Sequence, residues 1–169
     1  MQSKTEFAIE LEERPQVPNA RIHIPDNILP VLCVGSSCRC NGDINLDLDR
    51  NLPIDVAWNL NRLPYPFADK QFRKVLCHHV LEHLDYPERV LDELLRIGKL
   101  VEVRVPNRIG SMALSDPTHK WVFNRRWFWK YAASRKNVKV NTGNTMMDWS
   151  RFNLIRCPFP LEFYVWLWK

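Results

Sequence analysis

The sequence predicts an α/β domain built on a mostly parallel β-sheet, and three observations carry that prediction. Short apolar runs end abruptly at turn or polar residues: Val31-Leu32-Cys33-Val34 stops at Gly35, and Phe72-Arg73-Lys74-Val75-Leu76-Cys77 stops at His78-His79. Such runs read as buried strands. After the second run, Val80, Leu81, Leu84, Val90, Leu91, Leu94, Leu95 and Ile97 recur broadly at helical spacing. Then Leu100-Val101-Glu102-Val103-Arg104-Val105 alternates as a strand. A strand–helix–strand unit with buried strands implies parallel pairing and a right-handed crossover.

Each element follows in order. Residues 1–30 hold Pro15, Pro18, Pro25 and Pro30, which remove backbone donors and fix φ. This stretch reads as an arm, with a short strand near 7–11, lying on a domain that runs over 31–169. Ile44-Asn45-Leu46-Asp47-Leu48 is the second strand. The link over 35–43 is too short for a regular crossover helix and must be a turn or loop. A third strand is expected at 54–58, and the two prolines of Leu63-Pro64-Tyr65-Pro66-Phe67 forbid helix there. Pro87 interrupts or restarts the helix near Tyr86, and Gly98 is its expected C-cap. The strand at 100–105 stops at Pro106-Asn107. A second helix is expected over 124–135. The spans 152–155 and 161–168 read as a terminal antiparallel pair, with Pro158 and Pro160 marking their connection.

A chain of 169 residues, 46% hydrophobic and 25% charged, fits one soluble domain with a real core. It has no run of about 18 apolar residues to span a membrane, and no signal-peptide core follows its first residues. A cytoplasmic protein is therefore expected. The net charge of +5 is partly concentrated over 120–139, where Lys120, Arg125, Arg126 and Lys130 interleave with Trp121, Trp127 and Trp129. Such mixtures bind nucleic acid by phosphate contact and stacking. The plainer reading is an amphipathic helix with aromatics inward and bases outward. Five cysteines without a secretion signal argue against an obligatory disulfide framework, while leaving open a bridge from the Cys38–Cys40 loop to another cysteine.

Ligands of open parallel sheets bind beyond the carboxyl ends of the strands. Gly35-Ser36-Ser37, Asp47 with Asp49, and Cys77-His78-His79 all fall there. A glycine lets a ligand approach the backbone, and a carboxylate on the next strand accepts two hydrogen bonds from ribose hydroxyls. That division of labour suits a nucleoside-type cofactor. Alternatively, Gly35 is a turn glycine and nothing more.

Taken in order, Val31-Leu32-Cys33-Val34-Gly35, Ile44-Asn45-Leu46-Asp47, Leu63-Pro64-Tyr65, His79-Val80-Leu81-Glu82-His83-Leu84, Lys99 to Asn107, and Asp116-Pro117-Thr118-His119-Lys120 with Phe123 resemble the small class I S-adenosylmethionine-dependent methyltransferases. The resemblance spans roughly 31–124. It implies a Rossmann-like methyltransferase sheet, mostly parallel with a C-terminal antiparallel pair, here with reduced helices. It implies S-adenosylmethionine as cofactor and an acceptor that the sequence does not name. Gly35 and Ser36 would approach its methionine part, Asp47 its ribose, Asn59 and Leu60 its adenine, and His78 its sulfonium. His79 and His119 are the candidate bases, because histidine titrates near neutrality, with Asp116 orienting His119 or the acceptor. Against these stand plainer roles: His79 as a local cap and Asp116 as a turn cap. The chain departs from the family pattern at Ser37 in place of a second glycine, at Cys33 and Asn59 in place of acids, and in the short turn Ile97-Gly98-Lys99.

Other readings compete. His79-x-x-Glu82-His83 fits an inverted zinc-peptidase motif, in which both histidines would share a helix face. Cys33, Cys38, Cys40 and His78 offer a structural zinc set. The preferred reading carries no metal. The main alternative function is a methyltransferase-like module that has lost catalysis and binds nucleic acid or a protein partner through 120–139. An apolar C-terminal edge strand would instead suit a homodimer.

Overall fold

The apolar runs become strands of one seven-stranded sheet. The protein is described by a computed structural model over residues 28–35, 42–107, 116–144 and 162–169. The strands are β1 (Val31–Val34), β2 (Ile44–Asp47), β3 (Val56–Ala57), β4 (Phe72–His78), β5 (Gly98–Pro106), β6 (Lys139–Asn144) and β7 (Glu162–Trp168). Their order across the sheet is β3-β2-β1-β4-β5-β7-β6. The first five pair in parallel, while β7 runs antiparallel to both β5 and β6. β1 is buried along its whole length, as expected of a central strand in a parallel sheet.

Alternation in β4, β5 and β7 divides the sheet into two unlike faces. Val75, Cys77, Val101, Val103, Val105, Phe163, Val165 and Leu167 form one apolar face and join a single core. Helix α1 (Pro87–Ile97) adds Val90, Leu91, Leu94 and Leu95 to this core, and helix α2 (Arg125–Ala133) adds Phe128. The opposite rows are half-buried and largely polar: Lys74 and His78, Glu102 and Arg104, Tyr164 and Trp166. Glu102 is their hub. It pairs with Lys74 Nζ at 2.7 Å and with His78 Nε2 at 3.0 Å, and accepts a hydrogen bond from Trp166 Nε1 at 2.9 Å.

Local chemistry sets the ends of the helices. Pro87 stands in the first turn of α1, where a missing N–H costs nothing. Leu81–His83 before it form only a 3-10 turn. Gly98 takes the C-cap position as expected, its N–H donating to Leu94 O, but it is extended (φ −111°) rather than left-handed. The demand for glycine is steric: a Cβ there would stand 2.6 Å from Val75 Cγ2. The chain thus passes from α1 into β5 without a loop. Asn124 caps α2 by accepting from Trp127 N at 3.0 Å. Within the 120–139 stretch, Phe123, Phe128 and Tyr131 are buried, as the amphipathic reading predicts, while Trp121 and Trp129 remain exposed.

Several expectations are modified. The strand foreseen at 54–58 is only two residues long. β6 was not foreseen, and it pairs with β7 on the side away from β5. The expected strands at 7–11 and 152–155 lie outside the described residues. β7 sits between two strands rather than at an edge, which removes the argument for a homodimer built on it. Cys33 is disulfide-bonded, and Cys77 is a buried free thiol. A disulfide sulfur is no zinc ligand, so the Cys33-based zinc set falls. No helix among the described residues is long and apolar enough to cross a membrane.

Asp92 on α1 clips the two helices together. It accepts from Tyr131 Oη at 2.8 Å and from Arg135 Nε and Nη2 at 3.1 Å. Burial works to raise its pKa, but the Arg135 and Tyr131 hydrogen bonds outweigh burial and hold it below the usual value. A depressed carboxylate stabilises the fold above its unfolded pKa of about 3.9, and that stabilisation fades as pH falls through the lower folded value. Asp92→Asn is therefore expected to cost about 1 kcal/mol at pH 7. The gap to wild type should close below about pH 4, as read by urea unfolding across pH. A gap that does not depend on pH would rule out this role for the Asp92 charge.

Candidate active site

The strand order reverses direction between β1 and β4: the chain first builds outward through β2 and β3, then returns to build β4 and β5 on the other side. Such a switch point opens a crevice beyond the carboxyl ends of the strands. Gly35 follows β1 on one side of it and His79 follows β4 on the other. Asp47 ends β2 beside Gly35, and Asn59 and Leu60 follow β3.

Gly35 adopts φ +67°, a left-handed conformation that glycine tolerates without strain. Its N–H donates to Leu46 O at 2.8 Å. A Cβ there would meet Val80 Cγ2 at 2.2 Å. The missing side chain lets the turn after β4 close over the end of β1. Ser36 lies outside the described residues. Asp47 is buried, and its Oδ1 accepts from Asp49 N at 3.0 Å. Its carbonyl accepts from Trp58 N at 2.9 Å, which ties the segment carrying Asn59 and Leu60 to the end of β2.

The remaining cofactor candidates are placed less directly. Asn59 is exposed, and its Oδ1 accepts from Asn61 N within its own turn. The Leu60 side chain belongs to the core, and its carbonyl accepts from Tyr65 Oη at 2.9 Å. The His78 ring is committed to Glu102 and stands edge-on to Tyr164. Burial lowers the His78 pKa, against the opposing pull of Glu102. The structure thus offers the backbone of His78 at the rim, rather than its ring.

His79 is left-handed (φ +54°), an uncommon state for a residue with a side chain. Its N–H donates to Arg104 O at 2.9 Å. Its ring lies between two carboxylates, with Nε2 3.3 Å from Glu162 Oε1 and Nδ1 3.5 Å from Glu82 Oε1. Glu162 first and Glu82 second push its pKa up to about 9, against burial. A histidine already protonated at neutral pH is a poor base there, so His79 supplies positive charge instead. Because His79 is not helical, it does not share a helix face with His83, and the peptidase-like pairing of these two histidines is not formed.

The 116–121 segment is fastened beside this turn. Lys120 N and Trp121 N both donate to Glu82 O, and Trp121 Nε1 donates to Leu84 O. Asp116 does cap a turn: its Oδ1 accepts from Thr118 N at 2.8 Å and from Thr118 Oγ1 at 2.6 Å. It also faces His119, with Oδ2 3.7 Å from Nε2. His119 stands edge-on to His83, with ring centroids 4.8 Å apart. Asp116 therefore caps a turn and also lies beside His119. Sequence reasoning missed Glu162 and Glu102 as partners of the paired histidines, since both arrive from distant strands. Thr118 was also missed.

The comparisons bear on the fold. Residues 49–100 match the family model described as a methyltransferase domain. No curated protein matches the chain. Among solved structures, the chain is similar to a SAM-dependent methyltransferase from Archaeoglobus fulgidus at 15% identity and TM-score 0.58, covering 82% of this chain and 85% of that one. It is similar to a SAM-dependent methyltransferase from Thermotoga maritima at 15% identity and TM-score 0.60, covering 81% and 80%. A third likeness is to a plantazolicin methyltransferase in complex with SAH, at 14% identity and TM-score 0.55, covering 83% and 77%. At such identities these are likenesses of fold. The chain has the Rossmann-like fold of the class I methyltransferases. Family model and fold together bear out the resemblance to the S-adenosylmethionine-dependent family.

Gly35→Ala must both strain the backbone and displace Val80. It is expected to destabilise the fold by about 1–3 kcal/mol, read as a lower urea midpoint at unchanged slope. An unchanged midpoint would mean that the β1 end does not need this conformation.

Proposed function

We propose that the chain transfers a methyl group from S-adenosylmethionine to an acceptor presented beside the 116–121 segment. One observation carries the reading: Gly35 and the buried Asp47 stand on adjacent strand ends next to the switch point. Their chemistry fits the cofactor. Gly35 and Ser36 would lie along its methionine part, and Asp47 would accept from its ribose hydroxyls. Asn59, Leu60 and the His78 backbone would complete the cradle. When bound, S-adenosylmethionine supplies an electrophilic methyl group that needs mainly alignment with its acceptor. His79 would contribute positive charge at the rim. His119 and Asp116 would border the acceptor.

Calorimetric titration with S-adenosylmethionine and S-adenosylhomocysteine tests the reading. Saturable one-to-one binding is expected, weakened at least about 100-fold in Asp47→Ala with the circular dichroism unchanged, because two charge-assisted hydrogen bonds are lost. No binding by the wild type at millimolar ligand would overturn the enzyme reading. Attention would then turn to salt-dependent nucleic-acid binding at the basic 120–139 stretch, where Trp121 and Trp129 are exposed.

A further inference from the structure

Among the described residues, the most unusual side chain is Glu82. It is 1% exposed, and neither of its carboxylate oxygens makes a hydrogen bond. His79 Nδ1 lies 3.5 Å from Oε1, close enough to matter as a charge but without hydrogen-bond geometry. The His79 charge offsets part of the cost of burying this carboxylate, but its oxygens keep acceptor capacity that no hydrogen bond uses and that a cation could fill.

What surrounds it indicates what that is. Single donor atoms of Glu82, His83 and His119 all lie within 4.8 Å of one another. Around a four-coordinate ion with bonds of about 2.1 Å, adjacent donors stand about 3.4 Å apart, so modest side-chain rotation closes the set. The second layer is already arranged. The Thr118 hydroxyl donates to Asp116 Oδ1 at 2.6 Å, which leaves Thr118 Oγ1 as an acceptor. His83 Nδ1, 3.0 Å from that oxygen and 3.3 Å from Thr118 O, is therefore the protonated nitrogen. The lone pair is left on Nε2. A ligating histidine is held in this way, its other nitrogen donating to an oxygen that fixes ring and tautomer. The backbone bonds from Lys120 and Trp121 to Glu82 O fix the two halves of the set relative to each other.

We propose that Glu82, His83 and His119 form a binding site for a divalent transition-metal ion. One carboxylate and two imidazoles suit zinc, cobalt or manganese better than calcium or magnesium. Three protein ligands leave a position open to water or to another oxygen donor. The site is not the peptidase-like pair of His79 and His83, since His119 replaces His79 and Glu82 is itself a ligand. It does not depend on the methyltransferase reading, because no cofactor contact is used to build it.

The test uses the tag-free, metal-stripped full chain without cofactor. Titration with cobalt(II) is followed by visible absorption, and zinc(II) binding by calorimetry. One cobalt per chain is expected, with ligand-field bands that stoichiometric zinc abolishes. Glu82→Gln and His119→Ala should each weaken binding at least about tenfold, a loss already typical of a change in the outer shell. Glu82→Gln also removes the charge that faces His79 at 3.5 Å, so its folding is checked in EDTA by circular dichroism before the titration. Zinc should raise the melting temperature of the wild type and not that of Glu82→Gln. If Glu82→Gln does not fold, His119→Ala, on the largely exposed 116–121 segment, carries the same readout. Absence of stoichiometric binding by the wild type, or equal affinity in the folded variants, overturns the proposal.

Discussion

The parallel pairing of β1 with β4 is the constraint on which the rest of the structure depends. Val31 to Val34 lie beside Lys74 to Cys77 in continuous register. Because β1 sits between β2 and β4, the chain must leave it in one direction and return on the other side. That reversal brings the ends of β1 and β4 to the same rim. The closeness is literal: the backbone of Gly35 and the side chain of Val80 occupy space that leaves no room for a Cβ. The turn after β4 then determines where Glu82 and His83 stand, and the 116–121 segment docks on that turn. A small residue at one strand end thus decides the placement of groups contributed by three separate parts of the chain.

The two sheet faces divide the labour of stability and chemistry. On the helical face, burial is nearly complete and largely apolar, and apart from the Asp92 clip between the helices the interaction is non-directional. On the other face, Lys74, His78, Glu102, Arg104, Glu162 and Trp166 are joined by directional bonds. Arg104 also lies over the Tyr164 ring, 5.2 Å from its centroid. Glu162 serves both sets of groups: it pairs with Arg104 on the sheet face and with His79 at the rim. The rim is therefore electrostatically continuous with the face beneath it, while its shape is fixed by the core on the far side.

Much of the fold was legible because its elements announce themselves locally. β1, β2, β4 and β5 are short apolar or alternating runs with clear stops, and α1 is a period-3.6 stripe introduced by Pro87. β6 was not legible: Lys139-Val140-Asn141-Thr142-Gly143-Asn144 has little apolar content and becomes a strand because β7 offers it a partner. The site was legible to the extent that it lies in single motifs. Gly35 and Asp47 follow from strand ends, and the His79-to-His83 motif was visible as a sequence pattern although the placement of its histidines was not. Its true geometry depends on a left-handed His79, which turns that ring toward Glu162 and leaves His83 to face His119. No local pattern encodes a reversal of backbone sign at a histidine, nor the arrival of Glu162 from the last strand.

The junction of α1 with β5 has a mechanical side. Ile97 is the last residue of the helix and Gly98 the first of the strand, so no slack separates the two. Most connections between elements absorb small displacements in a loop. Here a slide of α1 along its axis has nowhere to go except into the register of β5. Arg104, near the far end of that strand, holds both the His79 backbone and Glu162. With no slack at this junction, a shift of α1 along its axis is expected to pass into β5 and, through Arg104, to the groups at the rim.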